Sequence, residues 1–332
     1  MKRIGHTPIV RVELQLPCGT RSVHLKLEGA NPYGSLKDRT AASLVADLER
    51  RGFLERGSCI VESTSGNLGV SLAWIARARG YGFVAVVDPK TTPENVSRLR
   101  RLGARIERVE MPDDAGGYLL SRLARVRQLL ASSDRFVWPD QYTNPANPRA
   151  HEDGTGPELL RQMRGELDAV FVPVSTGGTL TGIGRFLRRE SPGTRIVAVD
   201  AAGSVALGGS PARRLLVGIG ASRRSSFVTR DLYDEQLAVG DAEAFAFCRT
   251  LAEARGVIVG GSSGAVLAAC ARVLARRPEL ERVVCLCADR GESYASTIFD
   301  DRWLKRHGVR ERSAREQTAA ILPCRRRALA PA

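Results

Sequence analysis

The stretch from residue 31 to residue 41 reads NPYGSLKDRTA and places Lys37 between a turn of small residues and the start of a helix. Lysine is usually an exposed charge on a protein surface. Burial or a nearby positive charge lowers the pKa of a lysine, and its amine can then form an imine with an aldehyde. Lys37 is therefore either a surface charge or a reactive amine, and the surrounding motifs decide between the two.

Apolar strand-like segments alternate with amphipathic helical ones along most of the chain. The strand candidates are SCIVES, YGFVAVVD, ARIERVE, DAVFVPVS, TRIVAVDA and ERVVCLCAD. Helical segments such as NLGVSLAWIARARG, PENVSRLRRLG and TLTGIGRFLRRE separate them, and residues 111–138 are expected to be mostly one helix. Single helices between strands predict right-handed βαβ units. The expected fold class is α/β, with parallel-type sheets flanked by helices.

Composition narrows the class of protein. The chain has 332 residues, enough for one large domain or two lobes. A formal net charge of +14 would suit a nucleic-acid binder, but aromatic residues make up only 5% and the sequence shows no DNA-binding motif. Anionic small molecules are the more natural partners for part of this charge.

The remaining bulk features predict a cytoplasmic protein without a metal. No signal peptide and no membrane span are expected from the hydropathy pattern. The seven cysteines include no C-x-x-C pair and are expected to be reduced, buried thiols. The four histidines lack the spacing of metal ligands, so no metal site is expected.

Three loops that follow predicted strands have the composition of ligand sites, which in α/β sheets gather at the carboxyl ends of strands. ESTSGNLG, residues 62–69, offers hydroxyls, an amide and free N–H groups to a carboxylate, or it is a plain helix N-cap. VSTGGTLTG, residues 174–182, lets the backbone approach a phosphate, or it is a tight turn. VGGSSGAVLAAC, residues 259–270, offers Ser262 or Ser263 as an N-cap or as a partner for a buried ligand atom.

Together with Lys37, these loops meet the needs of one cofactor. Pyridoxal 5'-phosphate (PLP) requires a lysine, a phosphate-binding loop, a partner for its ring nitrogen and a place beside it for the substrate carboxylate. Each of the four stretches supplies one of these requirements. The combination therefore predicts a PLP site more strongly than any single stretch does.

In this order the motifs resemble the β-family of PLP-dependent enzymes, also called fold type II, which includes cysteine synthase and cystathionine β-synthase. The resemblance covers about residues 5–301 and is carried by GHTPIVRV, NPYGSLKDR, STSGNLG, STGGTLTG, VGIG and GGSSGA. It implies a two-lobed homodimeric enzyme. The implied parts are a large cofactor-binding domain at residues 1–40 and 148–310, a smaller mobile substrate domain at 41–147, and a flexible tail at 311–332.

The resemblance also implies roles for individual residues. Lys37 would hold the cofactor as an internal aldimine and act as acid and base at Cα, and Asn67 would hydrogen-bond the cofactor's 3-hydroxyl. Ser262 would partner the pyridine nitrogen. The substrate carboxylate would lie on the loop of Thr64, Ser65, Gly66 and Asn67. The cofactor phosphate would lie on the loop of Ser175, Thr176, Gly177, Gly178 and Thr179.

A serine partner for the pyridine nitrogen favours a particular reaction. A hydroxyl stabilises a pyridinium less than a carboxylate would, so the ring is a weaker electron sink. The loss of a leaving group at Cβ then suits the site, because the leaving group takes the electrons. The resemblance thus implies a β-replacement through an α-aminoacrylate.

Departures from the cysteine synthases indicate the acceptor. Ser175 replaces the first glycine of their usual GTGGT loop, and Leu68 replaces the threonine that follows their SGN motif. The segments VVDPKTTPEN, DQYTNPANPRAHEDGTGPE, GIGASR and ADRGESY are similar to a narrower branch that makes N-(2-amino-2-carboxyethyl)-L-glutamate. That branch serves the biosynthesis of 2,3-diaminopropionate, a component of siderophores and peptide antibiotics. The similarity implies O-phospho-L-serine as the donor and the amine of L-glutamate as the nucleophile.

Two anionic amino acids need cationic or hydroxyl-bearing partners in the site. The candidates are Arg122, Tyr142, Ser175 and Arg223. Each arginine could instead be a surface charge, and Tyr142 could be a packing residue. His151 is expected to be structural.

Four other functions stay open at the level of sequence. A cysteine synthase that uses sulfide and a cystathionine β-synthase-like enzyme that uses homocysteine would share these motifs. A protein that keeps the fold as a binding scaffold is a non-enzymatic alternative. A basic nucleic-acid binder would reveal itself by steeply salt-dependent binding.

Overall fold

Two sheets organise the protein in a computed structural model, which describes residues 3–112, 117–309 and 320–321. The strands, in chain order, are β1 (Ile9–Leu16), β2 (Gly19–Leu27), β3 (Cys59–Ser63), β4 (Gly82–Val87), β5 (Arg105–Arg108), β6 (Phe136–Val137), β7 (Ala169–Pro173), β8 (Arg195–Ala201), β9 (Glu235–Val239), β10 (Val283–Cys287) and β11 (Ala320–Ile321). The larger sheet has the spatial order β11-β1-β2-β10-β7-β8-β9, and the smaller sheet has the order β5-β4-β3-β6.

Helices connect the strands and cover the sheets. They are α1 (Lys37–Arg50), α2 (Asn67–Arg79), α3 (Pro93–Arg101), α4 (Leu119–Ser132), α5 (Ala146–Ala150), α6 (Gly156–Gln162), α7 (Gly178–Glu190), α8 (Asp241–Arg255), α9 (Gly261–Arg276) and α10 (Asp301–Arg306). A single π-helical turn at His151–Thr155 joins α5 to α6.

The predicted parallel βαβ pattern is confirmed at the centre of both sheets. All pairings among β3, β4, β5 and β6 are parallel, as are those that join β2, β10, β7, β8 and β9. The helices α2, α3 and α7 fall on the segments predicted for them, and α2 ends at Gly80 in the left-handed conformation. Such a C-terminal glycine satisfies carbonyls of the last turn without the steric cost of a Cβ.

The edge of the larger sheet differs from the parallel arrangement expected. β1 pairs antiparallel with β2 along its whole length, and β11 pairs antiparallel with β1 through Leu14 and Gln15. The strand at Ala320–Ile321 lies within the segment expected to be a flexible tail, residues 311–332, whose other residues lie outside the described part of the chain. The division into domains at 1–40 with 148–310 and at 41–147 stays a prediction, although every strand of the smaller sheet falls between residues 59 and 137.

Both faces of the central strands are buried, which explains their continuous apolar runs. In β7, Ala169 and Phe171 pack into one core with α8 and α9, while Val170 and Val172 pack into another with α7. The smaller sheet has its own core, which Leu44 and Leu48 of α1 help to fill. Helix α1 therefore packs its apolar face into the core of the smaller sheet.

A buried cluster of charges fixes the start of the chain beneath α1. The guanidinium of Arg39 donates to Glu28 Oε2 at 2.7 Å and to Glu158 Oε2 at 2.9 Å, and the amine of Lys26 forms an ion pair with Glu158. The two cations hold the pKa of Glu158 at about 2, below its usual 4.5. Because each charge is paired, the cluster ties β2, α1 and α6 together two residues from Lys37.

Candidate active site

A cavity of about 300 Å³ lies between the two sheets, where the loops after β3 and β7, the start of α9 and the segment after β10 meet. The segment at residues 259–270 follows α8 and not a strand as expected. Twelve of the fourteen residues predicted for the site line it. They are Lys37, Thr64, Ser65, Gly66, Asn67, Arg122, Tyr142, Ser175, Thr176, Gly177, Thr179 and Ser262. The cavity therefore unites the three loops and the lysine that the sequence singled out.

Lys37 begins α1 at the floor of this cavity, and its environment is that of a reactive amine. Burial of the amine lowers the pKa of Lys37 from 10.5 to about 8. The backbone N–H of Lys37 donates to Ser35 Oγ at 3.2 Å, whereas its side-chain amine meets no ion-pair or hydrogen-bond partner within the described residues. A desolvated amine without a counter-ion is readily deprotonated, as a nucleophile or a base requires.

His151 lies near Lys37, but its role is structural and not that of an acid or base. Its Nε2 lies 3.1 Å from Thr40 Oγ1 and 3.3 Å from Thr179 Oγ1, and its Nδ1 lies 2.9 Å from Thr155 Oγ1. Burial, followed by the charges of Lys37 and Arg39, lowers the pKa of His151 well below 6.5. A neutral imidazole bonded to three threonines fits the structural role expected from the sequence.

The loop at residues 64–67 enters α2 without a side-chain cap. Gly66 occupies the N-cap position, and Thr64 Oγ1 instead accepts a hydrogen bond from the N–H of Gly69 at 2.9 Å. Ser65 and Asn67 face the cavity. The loop thus offers hydroxyl, amide and helix N-terminal groups on one wall, a combination suited to an anion such as a carboxylate.

The glycine-rich loop after β7 leaves no room for side chains. Gly177 has a φ of +91°, and a Cβ there would lie 2.1 Å from Ser225 Oγ. A Cβ on Gly178 would lie 2.1 Å from Oδ1 of Asn147, so Gly178 packs against the wall of the cavity without lining it. The first N–H groups of the 13-residue helix α7 remain directed at the cavity end of this loop, which is the arrangement that binds phosphate.

Ser262 lies in the first turn of α9 and lines the cavity with only 2% of its surface exposed. Gly260 is the N-cap of this helix and forms no side-chain cap bond, so the alternative that Ser262 or Ser263 caps α9 is wrong. Ser263 is also buried, and its hydroxyl oxygen finds no hydrogen-bond partner within the described residues. Ser262 is therefore free to serve a ligand atom.

The predicted substrate cations divide between two places. Arg122 of α4 lines the cavity, with its Nε 3.4 Å from Asp88 Oδ2 and no hydrogen bond to that buried nitrogen among the described residues. Arg223 is not among the residues that line the cavity; its guanidinium lies 5.3 Å from the ring centroid of Tyr142, in an adjoining pocket that Tyr142 and Ser175 also line. Burial raises the pKa of Tyr142 to about 12, so this phenol is a neutral donor.

Two charged residues of the cavity wall escaped the sequence-based prediction. Arg214 precedes the VGIG motif, donates to the carbonyl oxygen of Gly203 at 3.1 Å and forms no ion pair within the described part of the chain. Asp289 follows β10 and accepts a hydrogen bond from Asn67 Nδ2 at 2.7 Å. Asp289 lies in ADRGESY, a segment noted for its resemblance, and Arg214 lies three residues before VGIG, but neither residue type has a spacing that reveals its partner.

The residues present fit PLP. A lysine amine without a partner, a glycine turn at a helix N-terminus, a buried serine hydroxyl and an asparagine amide surround one cavity, which matches the aldehyde, the phosphate, the ring nitrogen and the ring hydroxyl. Lys37 would hold the cofactor, and residues 175–179 would hold its phosphate.

Comparison with known proteins agrees with this geometry. Residues 1–289 match the family model described as pyridoxal-phosphate dependent enzyme. The chain therefore belongs to this family, and the predicted fold type II architecture and PLP dependence are confirmed. Within residues 3–112, 117–309 and 320–321, no three His, Cys, Asp or Glu side chains are grouped to hold a metal, and no helix has the length and apolarity to cross a membrane.

Particular relatives are more informative than the family. The chain is 47% identical over 303 residues to an N-(2-amino-2-carboxyethyl)-L-glutamate synthase of Ralstonia nicotianae, covering 91% of this chain and 90% of that one. It is 42% identical over 313 residues to a protein of the same name from Cupriavidus metallidurans, covering 93% and 92%. A crystal structure of O-ureido-L-serine synthase superposes with a TM-score of 0.81 at 34% identity, covering 94% and 96% of the two chains.

Proposed function

We propose that the protein is an N-(2-amino-2-carboxyethyl)-L-glutamate synthase. It joins Cβ of O-phospho-L-serine to the amine of L-glutamate and releases phosphate. The product supplies 2,3-diaminopropionate for a siderophore or a peptide antibiotic. Two relatives that match more than nine-tenths of the chain bear this name. It is also the product that the sequence motifs predicted.

The observation that carries the proposal is the charge of the cavity. Arg122 on the smaller-sheet side and Arg214 on the larger-sheet side both line it, and Asp88 is the single carboxylate that forms an ion pair with either of them within the described residues. A cysteine synthase acceptor such as sulfide needs no such partners. A phosphomonoester and a dicarboxylic acceptor need at least two, because each anion buried without a cation costs several kcal/mol.

The residues of the chain divide the work of the β-replacement. Bound PLP supplies an electron-withdrawing ring that acidifies Cα of the amino acid attached to it. Lys37, with its pKa near 8, takes the Cα proton and returns one at the end of the cycle. Thr64, Ser65 and the N–H groups at the start of α2 hold the α-carboxylate of O-phospho-L-serine.

The remaining side chains position the leaving group and the acceptor. Arg122 and the neutral Tyr142 donate to the phosphate of the first substrate, which then leaves as an anion already paired. Arg214 takes a carboxylate of L-glutamate. Ser175 joins it when its hydroxyl turns from the carbonyl oxygen of Gly220, to which it donates at 3.1 Å, toward that carboxylate. The guanidinium of Arg223 fixes the ring of Tyr142.

Quaternary structure and location complete the proposal. The enzyme acts as a homodimer in the cytoplasm, and the segment at residues 41–147 moves to close over the substrates. The six cysteines that the structure describes are free thiols, which suits a reducing compartment. Light scattering of the purified protein tests the dimer.

Product analysis by mass spectrometry decides the function. The purified enzyme receives O-phospho-L-serine with L-glutamate, sulfide or L-homocysteine, one acceptor at a time. Formation of N-(2-amino-2-carboxyethyl)-L-glutamate, at a rate well above those of cysteine and cystathionine, is the expected result. Turnover with sulfide alone would identify a cysteine synthase instead, and PLP binding without any turnover would identify a binding protein.

A further inference from the structure

Asp289 lies where three cofactor-binding segments meet: the segment before Lys37, the start of α9 and the loop that carries Asn67. Its backbone forms an isolated antiparallel bridge with Ser35, two residues before Lys37, and Arg290 forms another with Val259, before Ser262. Its side chain accepts the hydrogen bond from Asn67 at the start of α2. One residue after β10 therefore touches the lysine segment, the serine helix and the asparagine loop.

The carboxylate of Asp289 is tightly held. Its Oδ2 accepts from Asn67 Nδ2 at 2.7 Å and from Tyr294 Oη at 2.6 Å, and its Oδ1 lies so close to Gly260 that a Cβ there would be 2.1 Å from it. The side chain is 4% exposed. A carboxyl group with this little freedom can fix the orientation of whatever it binds.

The chemistry of the pair leaves one orientation for the amide of Asn67. Tyr294 Oη already donates to Oδ2 of Asp289, so this oxygen is an acceptor. Oδ1, which has no hydrogen-bond partner within the described residues, is the oxygen that would carry any proton. The amide must therefore turn its nitrogen, and not its oxygen, toward Asp289. The second N–H of Asn67 and its oxygen remain available to a ligand in the cavity. The amide cannot flip to exchange them, because a flip would break its hydrogen bond to Asp289.

We propose that Asp289 is a positioning residue for the cofactor, which acts by fixing the side-chain amide of Asn67. The aspartate need not touch PLP. It determines which edge of the Asn67 amide meets the ring hydroxyl. The inference rests on the proposed role of Asn67 at the cofactor and is independent of the acceptor that the enzyme uses.

The test is a double-mutant cycle read on PLP without any substrate. Asp289→Asn keeps the shape of the side chain but can donate as well as accept, so Asn67 loses its fixed orientation. The expected result is about fivefold weaker binding of PLP to the apoenzyme, the size of one hydrogen bond, and a changed visible spectrum of the holoenzyme. Because Asp289 acts through Asn67, Asp289→Asn adds nothing to either effect in an Asn67→Ala background.

Two controls separate this role from general stability. Asp200→Asn removes another buried aspartate, at the end of β8, that does not line the cavity, and should leave PLP affinity and spectrum unchanged. If Asp289→Asn does not fold, Tyr294→Phe, which removes the other donor to Oδ2, replaces it in the same cycle. An unaltered spectrum in the Asp289 or Tyr294 variant, an effect that persists in the Asn67→Ala background, or an equal effect in Asp200→Asn would overturn the proposal.

The readout distinguishes this proposal from the proposed function. If the double-mutant cycle gives the contrary result, the product analysis stays valid, because the cycle is measured without any amino-acid substrate. Failure of the glutamate reaction would likewise leave the spectra interpretable. If Asn67→Ala alone has no effect on PLP, the assumed role of Asn67 is itself wrong and the inference falls with it.

Discussion

A methyl group on Gly178 would lie 2.1 Å from Oδ1 of Asn147, closer than any two such atoms can approach. Asn147 cannot retreat easily, because its Nδ2 donates to the carbonyl oxygen of Gln141 at 2.7 Å and to Thr176 Oγ1 at 3.1 Å. The phosphate loop and the segment that leaves the smaller sheet are thus locked together. The absence of a side chain at position 178 is a requirement of that contact.

Gly178→Ala should therefore weaken PLP binding at least about tenfold, since the loop must shift to relieve the contact. Spectral titration of the apoenzyme with PLP measures it. Gly193→Ala is the matched control, because a Cβ there meets nothing within 4 Å. Equal affinities of the two variants would show that the phosphate does not depend on this loop.

Lys37→Ala should abolish covalent attachment of PLP and lower turnover by about 10²–10⁴-fold, the range expected for loss of a general acid–base group. Reduction of the wild-type holoenzyme with borohydride, followed by peptide mass analysis, should place the cofactor on Lys37. Labelling of any other lysine, Lys2, Lys26, Lys90 or Lys305, would contradict the assignment.

The rate of PLP uptake by the apoenzyme should depend on pH through Lys37. Its amine must be neutral to attack the aldehyde, and burial lowers its pKa from 10.5 to about 8. Uptake should rise with pH, reach half its maximum near pH 8 and then level off, as stopped-flow absorbance would record. A rate that continues to rise to pH 10 would indicate an exposed, ordinary lysine.

Arg122→Gln and Arg214→Gln should each raise a KM by about 10- to 100-fold, the cost of one hydrogen bond to a buried anion. Arg122→Gln should act on O-phospho-L-serine and Arg214→Gln on L-glutamate, in steady-state assays with the other substrate saturating. Arg127→Gln on the same helix and the neighbouring Arg213→Gln are exposed controls. If both variants altered the same KM, the division of the two anions would be wrong.

Glu158→Gln should destabilise the protein by about 3–5 kcal/mol. The substitution removes the negative charge with which the buried ammonium of Lys26 is paired. The drop in Tm should be roughly 10 °C for a chain of this length. Glu166→Gln, at an exposed pair with Arg282, should change Tm little. A small effect at Glu158 would mean that the cluster is hydrated.

The same buried charge cluster predicts how the Tm of the protein changes at low pH. The pKa of Glu158 is depressed in the folded state, so its contribution is complete above the unfolded value of 4.5 and is lost as pH falls toward about 2. The wild-type protein should thus lose Tm through that window, and Glu158→Gln should lose less. Parallel Tm curves for both proteins between pH 5 and 3 would refute the linkage.

The loops of the site could be predicted because their composition is local. Glycine runs, the SGN motif and the lysine after a turn each announce a strand-to-helix connection, and α/β topology brings such connections together. The role proposed for Asp289 could not, since it depends on Asn67, which is far away in the chain. The role proposed for Arg214 could not either, since it depends on how the loop that carries it folds to bring the guanidinium beside Gly220 and into the cavity wall.

Two further features, the strand at residues 320–321 and the contact of Arg223 with Tyr142, could not be predicted from the sequence. Two paired residues, Ala320 and Ile321, are too short for any alternation of apolar and polar positions to show. Arg223 stays a predicted substrate ligand; that its guanidinium lies over the ring of Tyr142 could not be told from the sequence.

The bridge between Ser35 and Asp289 has a consequence for how the enzyme is made. The two segments that form this bridge are far apart in the chain, and the N-terminal one is synthesised first. Lys37 is thus synthesised long before the residue that closes the pocket behind it. Binding of PLP must therefore wait until Asp289 has been synthesised. A chain that terminates before this residue should remain colourless.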